Sequence, residues 1–291
     1  MLDGRQGGVA AYRDAATIGQ LCREHHTDGL MILDTADGYD FAMEFYNPDG
    51  SGGMMCGNGG RCIVAFADYL GLKPAAPDGT WHFLAPDGPH TAQILHRPEE
   101  TASGGLVHPR TSVGGGARCD SSGRGRSERS ERSSTGGCLS GAWTVRLKMI
   151  DVLGITAVKD GYFLNTGTRH YVQFVPDVNA MDMEKEAKPI RWDPAFQPEG
   201  TNVNFVQVTP EGLLVRTFEK GVEGETLACG TGLTASAIAA NHHGVGAQRP
   251  RGSGVSYRLQ CRRGDWLQVE FKQQDQQYTD VYLTGPAELV K

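Results

Sequence analysis

The sequence predicts a mixed α/β protein built as two similar halves, and three observations lead there. Its 291 residues suit two domains of roughly 100–150 residues each. Two Cys-Gly-x-Gly turns, at Cys56 and Cys229, each run into an apolar stretch of helical length. Short alternating apolar runs flank both, so the order strands, polar turn, cysteine, buried helix, strands occurs twice along the chain.

In the first half, Asp14–His26 predicts a helix with Ile18, Leu21 and Cys22 on one face. Gly29–Leu33 and Ala42–Tyr46 read as strands joined through the Asp- and Gly-rich stretch Asp34–Asp40. Asn47-Pro48-Asp49-Gly50-Ser51 is dense turn chemistry that delivers the chain to Cys56. A helix follows from Gly57 to about Leu70, with Gly71 as its cap and Cys62 packed within it. Strands at Thr80–Leu84 and His90–Leu95 complete this half, residues 1–100.

Residues 101–141 break the pattern. Gly, Ser and Arg dominate, and almost nothing apolar is left to offset the ordering entropy, so a disordered insertion is expected, with Cys119 and Cys138 inside it. Order resumes with the alternating strand Trp143–Met149, then Gly161–Asn165 and Tyr171–Phe174 around a turn, and a crossover near Trp192–Phe196. Val203–Val208 and Leu213–Phe218 form a pair that feeds the second thiol turn and a buried helix ending near Asn241. Ser256–Cys261, Trp266–Phe271 and Thr279–Leu283 alternate as strands, so 142–285 is the second half and 286–291 a closing segment returning to the first.

Composition narrows the function classes. A net charge of −6 without a basic, aromatic-interleaved face argues against nucleic acid as a partner. No run of about 18 apolar residues and no signal-peptide pattern appear, so a cytoplasmic protein with no membrane partner is expected. Seven scattered cysteines do not read as a secreted disulfide framework, and no second cluster completes a metal site. Neither a metal nor a cofactor is expected.

A cysteine at a helix N-terminus faces unpaired backbone N–H groups and the positive end of the helix dipole, an arrangement expected to acidify the thiol toward or below neutrality. Two such thiols suit proton removal from a carbon acid on one face and proton return on the other, which inverts the centre. The helix ends would present N–H groups to a substrate carboxylate, with Asn58 and Thr231 placed to add side-chain hydrogen bonds.

The runs Asn47–Cys62 and Glu219–Gly232 resemble the two signatures of the diaminopimelate epimerase family, and the likeness extends through Thr201–Phe205 and Leu283–Ala287. The resemblance implies two pseudo-symmetric domains, each a mostly antiparallel sheet or barrel wrapped around a central helix. It also implies an isomerase: a cofactor-independent epimerase interconverting LL- and meso-diaminopimelate for lysine and peptidoglycan synthesis, with Cys56 and Cys229 as the catalytic bases. By the same resemblance Gly57, Asn58, Gly230 and Thr231 grip the carboxylate at the reacting carbon. Asn47 and Asn202 hold the distal amino-acid end. Glu219 and His170 lie near the reacting amino group, with Thr168 beside the histidine. The expected partner is a small amino-acid substrate, and the expected assembly, if any, a homodimer.

The chain also departs from that pattern. It starts beyond the family's first strand and its substrate-contacting asparagine, so that strand is expected to be missing. His25–Gly29 is shorter than the usual loop, Lys220 stands where an arginine clamps the distal carboxylate, and Thr168-Arg169 replaces a proline-containing turn. Two alternatives remain: a truncated, catalytically impaired homologue that binds an amino acid without turnover, and a related proline racemase or phenazine-type isomerase. Asn202 and the run Gly221–Thr226 argue against the latter.

Overall fold

The computed structural model describes residues 1–53, 55–100, 139–246 and 254–289. Most of the insertion expected at 101–141, with Cys119 and Cys138, lies outside them. The chain forms two compact units, one of Met1–Met55, Gly59–Arg146 and Pro286–Lys291, the other of Cys56–Asn58 and Leu147–Gly285.

In the first unit, β1 (Leu2–Asp3) runs parallel to β2 (Leu30–Asp34), so a short strand does lie beside β2 on the side where the sequence led us to expect none. Between them, α1 (Ala15–His25) begins where the Asp14 carboxylate accepts the Thr17 N–H, and stops at His26, which takes a left-handed conformation. Its apolar face packs Ile18 and Cys22 against Leu30 and Ile32. β3 (Phe41–Tyr46) pairs antiparallel with β2, and α2 (Gly57–Tyr69) follows the turn at Asn47–Ser51. β4 (Thr80–Ala85) and β5 (Gly88–His96) form a hairpin. A two-residue ladder joins β6 (Glu99–Glu100) to β7 (Leu139–Ser140), and β8 (Trp143–Lys148) alternates buried and half-buried residues as expected. The strand order is β1-β2-β3-β4-β5-β8. Phe41 stacks on Phe83 at 5.1 Å between ring centres, and Asp68 in the last turn of α2 accepts both the Trp143 indole N–H and the Arg97 guanidinium, each at 3.0 Å.

The second unit opens with β9 (Thr156–Val158), β10 (Gly161–Asn165) and β11 (Arg169–Phe174). Next comes α3 (Met183–Arg191), a helix the apolar pattern did not announce. Its only buried apolar residues are Met183 and Ala187, and a proline sits inside it, but Asp182 caps it through the Lys185 N–H. β12 (Asn202–Thr209) and β13 (Gly212–Glu219) pair antiparallel, and the short β14 (Gly224–Thr226) folds back on β13. After α4 (Gly230–His243) come β15 (Val255–Gln260), β16 (Trp266–Gln274) and β17 (Gln277–Ala287). The order is β17-β16-β15-β13-β12-β11-β10-β9.

One face of β12 and β13 carries Val203, Phe205 and Phe218, which pack with Tyr171 and Phe196 against Met183 and Ala187 of α3. The intervening residues turn to the other face, toward α4. That helix is buried almost all round, from Gly230 through Ala240, and touches β10, β11, β12, β13, β15 and β16. A sheet curled about one apolar helix follows from a sequence with no polar face to leave in water. Burying Leu233 and Ile238 contributes roughly 1.5–3 kcal/mol each. The hydroxyls of Thr234 and Ser236 return to the carbonyls of Gly230 and Gly232, so neither is left unpaired inside. Gly244, left-handed at φ 80°, closes the helix.

Candidate active site

Cys229 is itself the N-cap of α4. Its backbone is extended, and its sulfur accepts the Gly232 N–H at 3.4 Å. The Thr231 hydroxyl lies 3.4 Å from the same sulfur, and the Glu219 carboxyl at the end of β13 hydrogen-bonds the thiol. Glu219 also accepts the Thr226 hydroxyl at 2.5 Å.

The electrostatics reverse what the helix terminus alone predicts. The Cys229 thiol sits well above the ordinary thiol range, because burial penalises the thiolate and the neighbouring Glu219 charge adds to it. Donors from Thr231 and Gly232 oppose this without overcoming it. Burial likewise raises Glu219, against hydrogen bonds from Thr226 and Cys229. The expected acidification of this thiol is therefore corrected: burial and the Glu219 charge outweigh the hydrogen bonds from Thr231 and Gly232, and Cys229 carries its proton at neutral pH.

The first thiol loop reaches the same place. Cys56, Gly57 and Asn58 belong to the second unit, where the Asn58 side-chain amide donates to the Ala228 carbonyl at 3.1 Å. Gly57 and Gly230 abut: a β-carbon on Gly230 would lie 2.9 Å from the Gly57 α-carbon and the same distance from the Leu283 side chain. Cys56 is exposed and Cys229 buried, and the Cys229 thiol is free.

His170 is fully buried on β11. Burial pushes its pKa down to about 3, so the imidazole is neutral. Its Nε2 lies 2.9 Å from the Thr168 hydroxyl and 3.0 Å from that of Thr231. Those two hydroxyls are 3.0 Å apart. Asn202, buried at the start of β12, accepts the Lys220 backbone N–H at 2.8 Å and donates to Thr168 at 3.3 Å. The Lys220 side chain is exposed. Thus Asn58, Gly57, Gly230, Thr231, Cys229, Glu219, His170, Thr168 and Asn202 form one linked set inside the second unit. Asn47 belongs to the first unit, where its side-chain amide donates to the Ser51 hydroxyl at 3.0 Å within the turn.

Four further residues bond to this set or support it and were not picked out from the sequence. Thr166 donates to the Thr231 carbonyl at 2.9 Å, Thr226 donates to Glu219, and Asn204 with Thr217 underlies the first turn of α4. A β-carbon on Gly232 would come within 2.4 Å of the Asn204 side-chain Oδ1, which is pinned by Thr217, so glycine fits there best. The available signal was a polar residue, Asn204, set between Val203 and Phe205 in an otherwise apolar strand. Among the described residues no cluster of metal-binding side chains occurs, and no helix is long and apolar enough to cross a membrane.

Residues 162–290 match the family model described as diaminopimelate epimerase. The diaminopimelate epimerase of Flavobacterium psychrophilum is 32% identical over 282 residues, spanning 96% of this chain and 88% of that protein. That of Chlorobaculum tepidum is 32% identical over 264 residues, spanning 90% and 83%. Among solved structures, a PhzF-family phenazine biosynthesis protein from Bacillus anthracis aligns with a TM-score of 0.56 at 12% identity, over 94% of this chain and 86% of that one. A predicted epimerase from Pseudomonas aeruginosa aligns at 0.57 and 11%, over 97% and 89%. At such identities these structures share the fold, a mixed α/β arrangement of the epimerase type, as the sequence predicts.

Proposed function

The chain belongs to the diaminopimelate epimerase family, a family of isomerases, and we propose that it interconverts LL- and meso-diaminopimelate by a cofactor-independent two-thiol mechanism. The product would feed lysine and peptidoglycan precursor synthesis. Residues 1–100 and 142–285 then serve as the two epimerase halves.

The observation that carries this reading is the packing of Gly57 on Gly230, which sets the residues after Cys56 against those after Cys229. Two turns of N–H groups at that junction suit a carboxylate, with Asn58 and Thr231 flanking it. Cys229, protonated at rest, is the acid of the pair, and Cys56 is the base that removes the α-proton. When Cys229 gives its proton to the opposite face, Thr231 and Gly232 receive the charge that appears on sulfur. Glu219 is a partner for the substrate ammonium, whose arrival would relieve the repulsion that keeps the thiol protonated. His170 and Thr168 orient Thr231, Asn202 with Asn47 takes the distal end, and Lys220 meets the distal carboxylate.

The test is solvent exchange. In deuterium oxide the purified chain should place deuterium at the α-carbon of LL-diaminopimelate while forming the meso isomer. Folded protein that binds diaminopimelate with no exchange would favour the impaired homologue. Exchange on proline but not diaminopimelate would favour the racemase alternative.

A further inference from the structure

Asn204 lies near the start of β12, wholly buried, and both polar atoms of its side chain are engaged. Its Nδ2 donates to the Tyr171 carbonyl at 3.1 Å, and a carbonyl can only accept. That contact fixes which end of the amide is nitrogen. The same Nδ2 lies 2.9 Å from His170 Nδ1, so that ring nitrogen accepts and bears no proton. A neutral imidazole with Nδ1 bare must carry its proton on Nε2. On the other side, the Thr217 hydroxyl donates to the Asn204 Oδ1 at 2.9 Å across the β12–β13 ladder, where the two residues are direct partners.

We propose that Asn204 is a positioning residue for the thiol chemistry: its amide holds the His170 proton on Nε2, so that donors run from His170 through Thr231 to the Cys229 sulfur. Nε2–H gives to the hydroxyl of Thr231 or of Thr168, and the Thr231 hydroxyl is left to point its own proton at sulfur. With the proton on Nδ1 instead, Nε2 would be an acceptor. A threonine hydroxyl would then turn to it, and the thiolate formed in turnover would lose a donor. The Asn202 Nδ2 donates to the Thr168 hydroxyl at 3.3 Å and stands farther, 3.5 Å, from Nε2. This role rests on Cys229 acting as the acid of the thiol pair, as proposed above.

The experiment uses the full chain with nitrogen-15 in its histidines, His170 being identified by the signals lost in His170→Gln. The unaltered chain should show His170 with Nδ1 bare and Nε2 protonated at neutral pH; a proton on Nδ1 overturns the proposal. Asn204→Leu, close in volume, should give mixed tautomers and a kcat about 10- to 100-fold lower, with KM within about threefold of the parent. A folded Asn204→Leu that keeps the parental tautomer or the parental kcat also overturns it. If that variant does not fold, the tautomer in the unaltered chain decides alone. Because that measurement needs no turnover, an unaltered chain without α-carbon exchange would sink the functional reading and not the assignment of Asn204.

Discussion

Gly57 and Gly230 meet backbone to backbone: a β-carbon on Gly230 would stand 2.9 Å from the Gly57 α-carbon, and one on Gly57 would stand 3.1 Å from the Gly230 α-carbon. The two thiol turns are held at this spacing by the absence of side chains. Gly230→Ala must push backbone against backbone and displace the first turn of α4. A misplacement of about 1 Å at a catalytic group can cost about 100-fold in rate, so Gly230→Ala should lower kcat by up to about that factor while the protein stays folded by circular dichroism.

Cys229 should titrate above the ordinary thiol range, and the Glu219 charge contributes to that. Removing the charge with Glu219→Gln, in a Cys56→Ser background, should shift the thiolate absorbance curve of Cys229 to lower pH. The Cys229→Ser difference spectrum isolates its signal from the buried Cys22 and Cys261. An unmoved curve would mean that burial alone sets the thiol.

His170 links stability to acid. Its folded pKa of about 3 is below its unfolded value near 6.5, so its contribution is fully present above pH 6.5 and is lost as pH falls toward 3. The span corresponds to on the order of 5 kcal/mol. Urea unfolding of the parent should therefore show stability declining below pH 6.5, and His170→Gln should flatten that decline, whatever its stability at neutral pH.

Lys220 keeps a cation where a planar guanidinium would grip a carboxylate in two places. Its backbone is anchored by Asn202, and its side chain is exposed, so exchange for arginine disturbs no packing. Lys220→Arg should lower KM for diaminopimelate about three- to tenfold with kcat little changed. A KM that does not fall would place the distal carboxylate elsewhere.

Much of the fold was legible because both helices that follow the thiols are apolar and both are preceded by glycine-rich turns. The strands around them alternate, and Gly161–Asn165 and the β12–β13 pair fall where the pattern puts them. What escaped has physical reasons. α3 is held by a cap and two small contacts rather than an apolar stripe, and β14 is too short for a periodicity to exist. The thiol pairs were visible as motifs, but the protonation state of Cys229 was not. A helix terminus can be read from sequence, whereas the desolvation that outweighs it depends on what β13 brings to the sulfur. Asn204 escaped for the same reason: its partners on β11 and β13 are distant in the chain and meet only through strand pairing.

The tripeptide Cys56–Asn58 sits with the second unit although the chain on both sides of it belongs to the first. The polypeptide therefore passes between units at Met55–Cys56, Asn58–Gly59, Arg146–Leu147 and Gly285–Pro286. No single cut can yield two self-sufficient pieces: a fragment covering 147–285 leaves behind one of the two sulfurs, and its complement surrenders the other. Split-gene schemes or domain shuffling that keep both sulfurs would have to move two non-contiguous segments, Cys56–Asn58 and Leu147–Gly285, together.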